Sequence, residues 1–325
     1  MKKYLITGAA GFIASVVSEM LLDQGAEVVG VDDMNHAYDV RMKEYRLSKL
    51  REYPAFSFLK HDVGGRDLLD LPQLSGQGFE AVINLAARAG VRDSLQDPWV
   101  YLNTNANGTL NLLELCRRED ISKFVLASTS SIYGADAPLP TPETCPSDKP
   151  LQAYAASKKA AETMAYAYHY LYNIDVSVVR YFTVYGPAGR PDMVMFRYVK
   201  WIQEEMPVHL NGDGDQSRGF TYVDDIARGT ISALKPIGYE IINLGGHEVI
   251  TINELISILE KKIGKQSEIV FHPRHPADMM DSQADVSKAK ALLDWNPQIS
   301  LQKGIGLLVD WYQQERSWAK DIQTE

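Results

Sequence analysis

Six short runs of β-branched and apolar residues alternate with helix-like stretches along the first 182 residues, and this alternation constrains the fold more than any other feature. The runs are KYLITG (3–8), AEVVGVD (26–32), FSFLKHDV (56–63), FEAVINLAA (79–87), KFVLAST (123–129) and IDVSVVRYF (174–182). Helical patterns fill 12–24, 37–52, 98–119 and 154–172. Near-continuous apolar strands separated by helices predict an α/β fold, with a parallel sheet covered on both faces. A chain of 325 residues is long for one core, so two packed units are expected. The pattern shifts near residue 186, where Pro-Ala-Gly-Arg-Pro-Asp (187–192) forms a breaker-rich loop. Residues 1–186 are expected to form the large sheet unit and 187–325 a smaller, partly interleaved lobe, with a strand near 240–244 able to return to the large sheet.

The first run leads into TGAAGFIA, with Gly8, Gly11 and then Ala14 where a third glycine is usual. Glycines at a strand-to-helix turn let backbone N–H groups approach a pyrophosphate, and the helix start favours its charge. Phe12 and Ile13 open that helix. A tight turn alone would also use these glycines; the position between strand one and a helix favours a dinucleotide site and a Rossmann-type, doubly wound sheet. Asp32 ends the second run, where a carboxylate accepts ribose hydroxyls and repels a 2′-phosphate, which favours NAD over NADP. Asp62 and Val63 end the third run, and Leu85, Ala86 and Ala87 end the fourth; in a doubly wound sheet such ends line the crevice. A helix N-cap is the plain alternative for Asp62.

The fifth run ends in LASTSSIYG (126–134), rich in hydroxyls and free of carboxylate, imidazole or thiol. An acid–base group follows in YAASK, where Tyr154 and Lys158 stand at i and i+4 on one helix face. A phenol of ordinary pKa about 10 is a poor base. A neighbouring ammonium and a positively charged nicotinamide ring favour its phenolate. Tyr154 is the expected acid–base group, and Thr129 the hydroxyl that positions or relays the proton.

With these residues in place, the chain resembles the extended short-chain dehydrogenase/reductases, in their NAD-dependent nucleotide-sugar epimerase/dehydratase group. TGAAGFIA, HDV, NLAA, NTNANGT, STSSIYG, YAASK, RYFTVYGP, RGFTYVDD, HPAD and WNP carry the resemblance along nearly the whole chain. It implies a seven-stranded Rossmann domain, a nucleotide-sugar lobe, a retained NAD and a homodimer through two helices, here 98–119 and 154–172. It adds Tyr154, Lys158 and Tyr181 to the cofactor contacts, and Asn35 and Lys43 near the adenosine. Related dehydratases carry Asp-Glu after the catalytic threonine, and UDP-glucuronate decarboxylases carry Glu at the position of Ser131. Without that acid the chemistry is expected to stop at C4 oxidation and re-reduction, which is epimerisation.

Thr183, followed by GRPDM, resembles the UDP-glucuronate 4-epimerases, whereas galactose-type epimerases usually have Asn at that position. Ser130 and Thr183 are expected to hold a substrate carboxylate. Arg190 is expected either to meet a substrate oxygen or to stabilise its loop through Asp192. The resemblance places Arg218 and Asp278 on the nucleotide and Val208 and Leu210 beside the uracil. Gly219 and His275 depart from the family's usual Asp and Arg. The leading expectation is C4 epimerisation of UDP-glucuronate to UDP-galacturonate. A neutral UDP-sugar 4-epimerase, a decarboxylase and a non-catalytic NAD-binding protein are the alternatives.

The net charge of −9 disfavours nucleic acid as a partner. Two cysteines, Cys116 and Cys145, give neither a disulfide framework nor a metal spacing, and His36, His61, His169 and His247 are scattered; no metal is expected. No run approaches the roughly 18–20 apolar residues of a membrane span. The short, glycine-broken N-terminal run reads as a strand rather than a leader. A soluble cytoplasmic protein is expected.

Overall fold

The computed structural model describes residues 1–274 and 280–324. In chain order the strands are β1 (Lys3–Thr7), β2 (Glu27–Asp32), β3 (Phe56–Lys60), β4 (Ala81–Asn84), β5 (Lys123–Thr129), β6 (Asp175–Tyr181), β7 (Thr183–Tyr185), β8 (Val208–Asn211), β9 (Ser217–Tyr222), β10 (Tyr239–Leu244), β11 (Glu248–Thr251) and β12 (Ile269–His272). The helices are α1 (Phe12–Asp23), α2 (Arg41–Leu50), α3 (Pro98–Tyr101), α4 (Gly108–Arg118), α5 (Ala153–Tyr172), α6 (Val194–Gln203), α7 (Val223–Ser232), α8 (Ile252–Ile263), α9 (Ser287–Leu293), α10 (Leu301–Gln314) and α11 (Arg316–Ala319).

Seven parallel strands form the main sheet in the order β10-β6-β5-β4-β1-β2-β3. The order reverses between β1 and β4, so the ends of these two strands open a crevice at the switch point. Alternate strand residues feed two cores. Tyr4, Ile6, Val28, Ile83, Val125 and Val179 face α1, α7 and α9, while Leu5, Val29, Val82, Phe124, Leu126 and Val178 face α4 and α5. Both faces are therefore apolar, which accounts for the near-continuous hydrophobic runs.

A third core joins α6, α8 and α10 around Trp201, Trp311 and Tyr312. It is flanked by a three-stranded sheet, β11-β9-β7, and a parallel pair, β12-β8. β10 leaves this region to pair with β6 in the main sheet.

The expected helix 98–119 is helical throughout 98–118 but not α-helical throughout. Leu102–Asn107 forms a π-helical segment between α3 and α4. Asn105 explains the local geometry: its side chain accepts from the Arg88 N–H at 2.9 Å and donates to the Arg88 carbonyl at 3.0 Å and to Ser157 Oγ at 2.9 Å. A widened turn aims this amide at both neighbours, as π-segments at functional sites do.

Candidate active site

The glycine turn after β1 is built for close approach. Gly8 has φ +69°, and a Cβ there would lie 2.8 Å from the Ala86 Cα and N. Gly11 donates to the Gly8 carbonyl at 2.7 Å, and a Cβ on Gly11 would sit 2.7 Å from that same oxygen. The turn thus packs directly on the residues leaving β4, and Thr7 Oγ1 bonds both Asn84 and the Ala86 N–H. Asp32 is buried at the end of β2. Its carboxylate accepts from Ala10 N–H at 3.2 Å, Met34 N–H at 2.8 Å and Lys43 Nζ at 3.2 Å. Lys43 also approaches Asp33 at 3.7 Å, and Asn35 bonds Asp33 and receives Arg88 Nη1 at 2.9 Å. A small-residue turn at a helix start beside a fixed carboxylate fits a dinucleotide, whose pyrophosphate the cradle could take with Asp32 toward the ribose.

Sequence reading missed Arg46. This buried guanidinium donates to the Ala10 carbonyl, to Tyr38 Oη and to the Ala188 and Gly189 carbonyls, at 2.7–3.2 Å. It ties the glycine turn to the loop that carries Arg190. The available signal was a charge on the apolar stripe of α2, since Met42, Lys43, Arg46, Leu47 and Leu50 share the buried face.

The other cofactor candidates divide. Phe12 and Val63 are buried; Val63 packs against Gly108. Ile13 is partly buried against two cores, and Leu85 against one. Ala87, three residues past the end of β4, is half-buried. Asp62 is exposed and accepts from the Gly64 N–H at 2.8 Å. Tyr181 turns into the core, where its hydroxyl meets Thr230 Oγ1 at 2.7 Å.

The candidate pair Tyr154 and Lys158 lies near the end of β5. Tyr154 and Lys158 lie on the first turns of α5, which packs against β5. Thr129 Oγ1 stands beside the Tyr154 phenol and lowers its pKa; it donates to Ser131 Oγ at 3.2 Å and accepts from the Ser131 N–H at 3.1 Å, capping the short 3-10 turn Ser130–Tyr133. Burial pushes the Tyr154 phenol up, while the Thr129 contact and the Arg190 guanidinium pull it back. Lys158 points to the Ala127 carbonyl at 2.9 Å, and burial pushes its ammonium down to about 8 against the raising effect of Glu162. Arg190 is a second cation whose field lowers the phenol, a contribution the Tyr-x-x-x-Lys spacing does not reveal.

Arg190 is held by Asp192 and donates to the Ala89 carbonyl at 3.3 Å. Tyr101 packs edge-on against Tyr154, with ring centroids 6.1 Å apart. Thr183 opens β7 opposite Phe220 of β9 and, like Ser130, is partly exposed. Val208 and Leu210 send their side chains into the lobe core, leaving His209 exposed between them. Arg218 donates to the Ser217 and Met280 carbonyls at 2.7 and 2.8 Å. Gly219 has a steric reason: a Cβ there would lie 2.3 Å from the Gly246 carbonyl oxygen. Asp278 and His275 lie outside the described residues.

Residues 4–245 match the model of the NAD dependent epimerase/dehydratase family. The chain belongs to this family. This epimerase/dehydratase is 52% identical over 324 residues to the UDP-glucuronate 4-epimerase of Thermodesulfobacterium geofontis, covering 99% of this chain and all of that protein. Its fold matches the UDP-glucuronic acid 4-epimerase from Bacillus cereus, solved with UDP-glucuronic acid and NAD, at a TM-score of 0.90 and 37% identity, covering 96% of this chain and 99% of that one. The UDP-glucose 4-epimerase of Thermotoga maritima, solved with UDP-glucose, matches at the same TM-score and 30% identity, covering 97% and 99%.

Proposed function

We propose that this chain interconverts UDP-glucuronate and UDP-galacturonate by transient oxidation at C4. The observation that carries the reading is the end of β5, where Thr129 meets Tyr154 and the turn continues with Ser130 and Ser131 rather than with an acid. NAD is the cofactor of the family, and the turn at Gly8 and Gly11, with Asp32, Asn35 and Lys43, would hold it. Bound there, NAD supplies the two-electron acceptor that takes the C4 hydrogen as hydride and later returns it. Tyr154 removes the proton from the C4 hydroxyl as oxidation proceeds and gives it back to the re-formed alkoxide. Thr129 orients that hydroxyl, and Lys158 and Arg190 offset the phenolate charge. Ser130 and Thr183 hold the C5 carboxylate, so the β-keto acid is kept within a frame that releases the ring to turn over without losing CO₂. Arg218 and Asp278 serve the nucleotide.

Overall fold does not separate a uronate from a neutral sugar, because both kinds of epimerase match equally at a TM-score of 0.90. The separation rests on Thr183 and the GRPDM loop that follows it. Purified protein incubated with UDP-glucuronate, and in parallel with UDP-glucose, is expected to yield the C4-inverted uronate by proton NMR and little galactose. A released UDP-pentose, or inversion of UDP-glucose alone, overturns the assignment.

The assembly is proposed to be a homodimer through the face formed by α3–α4 and α5, where Trp99, Leu102, Tyr170 and Leu171 are exposed.

A further inference from the structure

One turn beyond Lys158, Glu162 lies among buried charges that the acid–base chemistry does not use. Its carboxylate accepts from Arg180 Nε at 2.9 Å and Nη2 at 2.7 Å, and from Ser128 Oγ at 2.6 Å. The Glu162 and Arg180 side chains are each 1% exposed. The i+4 spacing puts Glu162 on the same helix face as Lys158. Ser128 sits in β5 between the two residues that hold the acid–base pair: Ala127, whose carbonyl receives Lys158 Nζ at 2.9 Å, and Thr129, which stands beside the Tyr154 phenol. One carboxylate therefore reaches Lys158 through space and both partners of the pair through the strand.

Stability alone is a weak reason for this arrangement, because a buried ion pair is often no more stable than apolar residues of similar volume. A functional reason is at hand. We propose that Glu162 is a positioning residue of the reaction, whose buried charge keeps Lys158 protonated and whose bond to Ser128 fixes the strand end beneath Tyr154. This rests on the reading of Tyr154 and Lys158 as the acid–base pair.

The groups facing Lys158 and Glu162 are few. Tyr154 and Lys159 come from α5 itself, and Ser128 and Thr129 from β5. Arg180 comes from β6, with its guanidinium 4.8 Å from the ring centroid of Tyr133, a residue of the 3-10 turn. Tyr239 of β10 donates to the Glu162 main-chain carbonyl at 3.1 Å, and Tyr101 of α3 packs on Tyr154. Lys159 approaches Glu162 at 3.5 Å. Arg180 and Lys159 are cations, which oppose a charge on Lys158; within this set Glu162 is the carboxylate that favours it.

The test is the pH dependence of kcat in purified holoenzyme, for wild type, Glu162→Gln, Glu162→Asp and Ser128→Ala. Loss of the negative charge makes Lys158 release its proton at lower pH, so the alkaline limb of Glu162→Gln is expected to move toward neutrality by about one pH unit. Glu162→Asp keeps the charge and is expected to restore the limb. Ser128→Ala is expected to lower kcat with the limb in place, because it loosens the strand but leaves the carboxylate. An unmoved limb in folded Glu162→Gln overturns the proposal. If that variant does not fold, a limb displaced in Ser128→Ala, or displaced as far in Glu162→Asp as charge loss predicts, overturns it. Wild type that fails to invert the uronate at all overturns the functional reading instead, so the two failures are distinct.

Discussion

Tyr154 sits where its own ionisation is opposed. Burial pushes the phenol up, and the forces set against burial are a hydroxyl at Thr129 and a guanidinium at Arg190. A buried phenolate is tolerated only with such compensation. Arg190 is itself fixed by Asp192, with its guanidinium 5.9 Å from the Tyr38 ring centroid, so its charge stands at a set place rather than on a free stem. Removing that charge raises the phenol further, and the phenolate then forms only at higher pH. Arg190→Gln is therefore expected to shift the acid limb of the kcat profile upward, by about one pH unit, with activity partly regained in alkaline buffer. Arg190→Lys should shift it less. A profile that falls evenly at every pH would show that Arg190 acts on substrate binding or loop order and not on the phenol.

At the level of elements, the ends of β1 and β4 and the start of α1 meet with no space for a methyl group. Gly8 combines φ +69° with Ala86 main-chain atoms 2.8 Å from the place a Cβ would occupy, so Gly8→Ala brings both backbone strain and a clash against main chain. A loss of about 1–3 kcal/mol is expected, read as a lower Tm together with reduced NAD content after purification. Full NAD retention at an unchanged Tm would show that the turn is not the cradle. The same elements show why some of the molecule was legible in advance. Strands buried on both faces write themselves as apolar runs; six of the seven main-sheet strands lie within the runs that predict them, and β10 begins one residue before the strand expected at 240–244. Run ends are less legible, because apolar residues continue past the last ladder bond: β4 stops at Asn84, while Leu85 and Ala86 beyond it still pack against the cores. The π-helical segment had no periodic signature, since its cause is the distant pairing of Asn105 with Arg88 and Ser157. Motifs that looked like separate markers prove to be one contact: in RGFTYVDD and WNP, Trp295 Nε1 donates to the Asp225 carbonyl at 2.7 Å, and the Asp225 carboxylate caps the Gln298 and Ile299 N–H groups. Spacing along α5 is enough to nominate Tyr154 and Lys158, but Arg46 and Arg190 reach across the fold, and spacing along one helix carries no trace of that.

Across the whole molecule, the helices that carry the candidate site also expose large apolar side chains. α4 and α5 pack side by side and run in the same direction, because Tyr101 meets Tyr154 near one end and Tyr168 bonds Glu114 at 2.5 Å near the other. Trp99, 77% exposed, marks the first end, and Tyr170 and Leu171, 75% and 63% exposed, mark the second. Single exposed apolar residues need no explanation, but large ones gathered on one face mark an interaction surface. In the proposed homodimer, a two-fold axis perpendicular to these helices would set the partner's helices antiparallel and bring the Trp99 end of one protomer toward the Tyr170 end of the other. Sedimentation velocity at micromolar concentration is expected to show a dimer, and Tyr170→Lys combined with Leu171→Lys to shift it toward monomer with the circular dichroism preserved. Because α5 also holds Tyr154, Lys158 and Glu162, the monomeric variant should lose activity in step with the dimer fraction. A wild-type chain that sediments as a monomer, or a doubly substituted one that remains dimeric, removes this face as the interface.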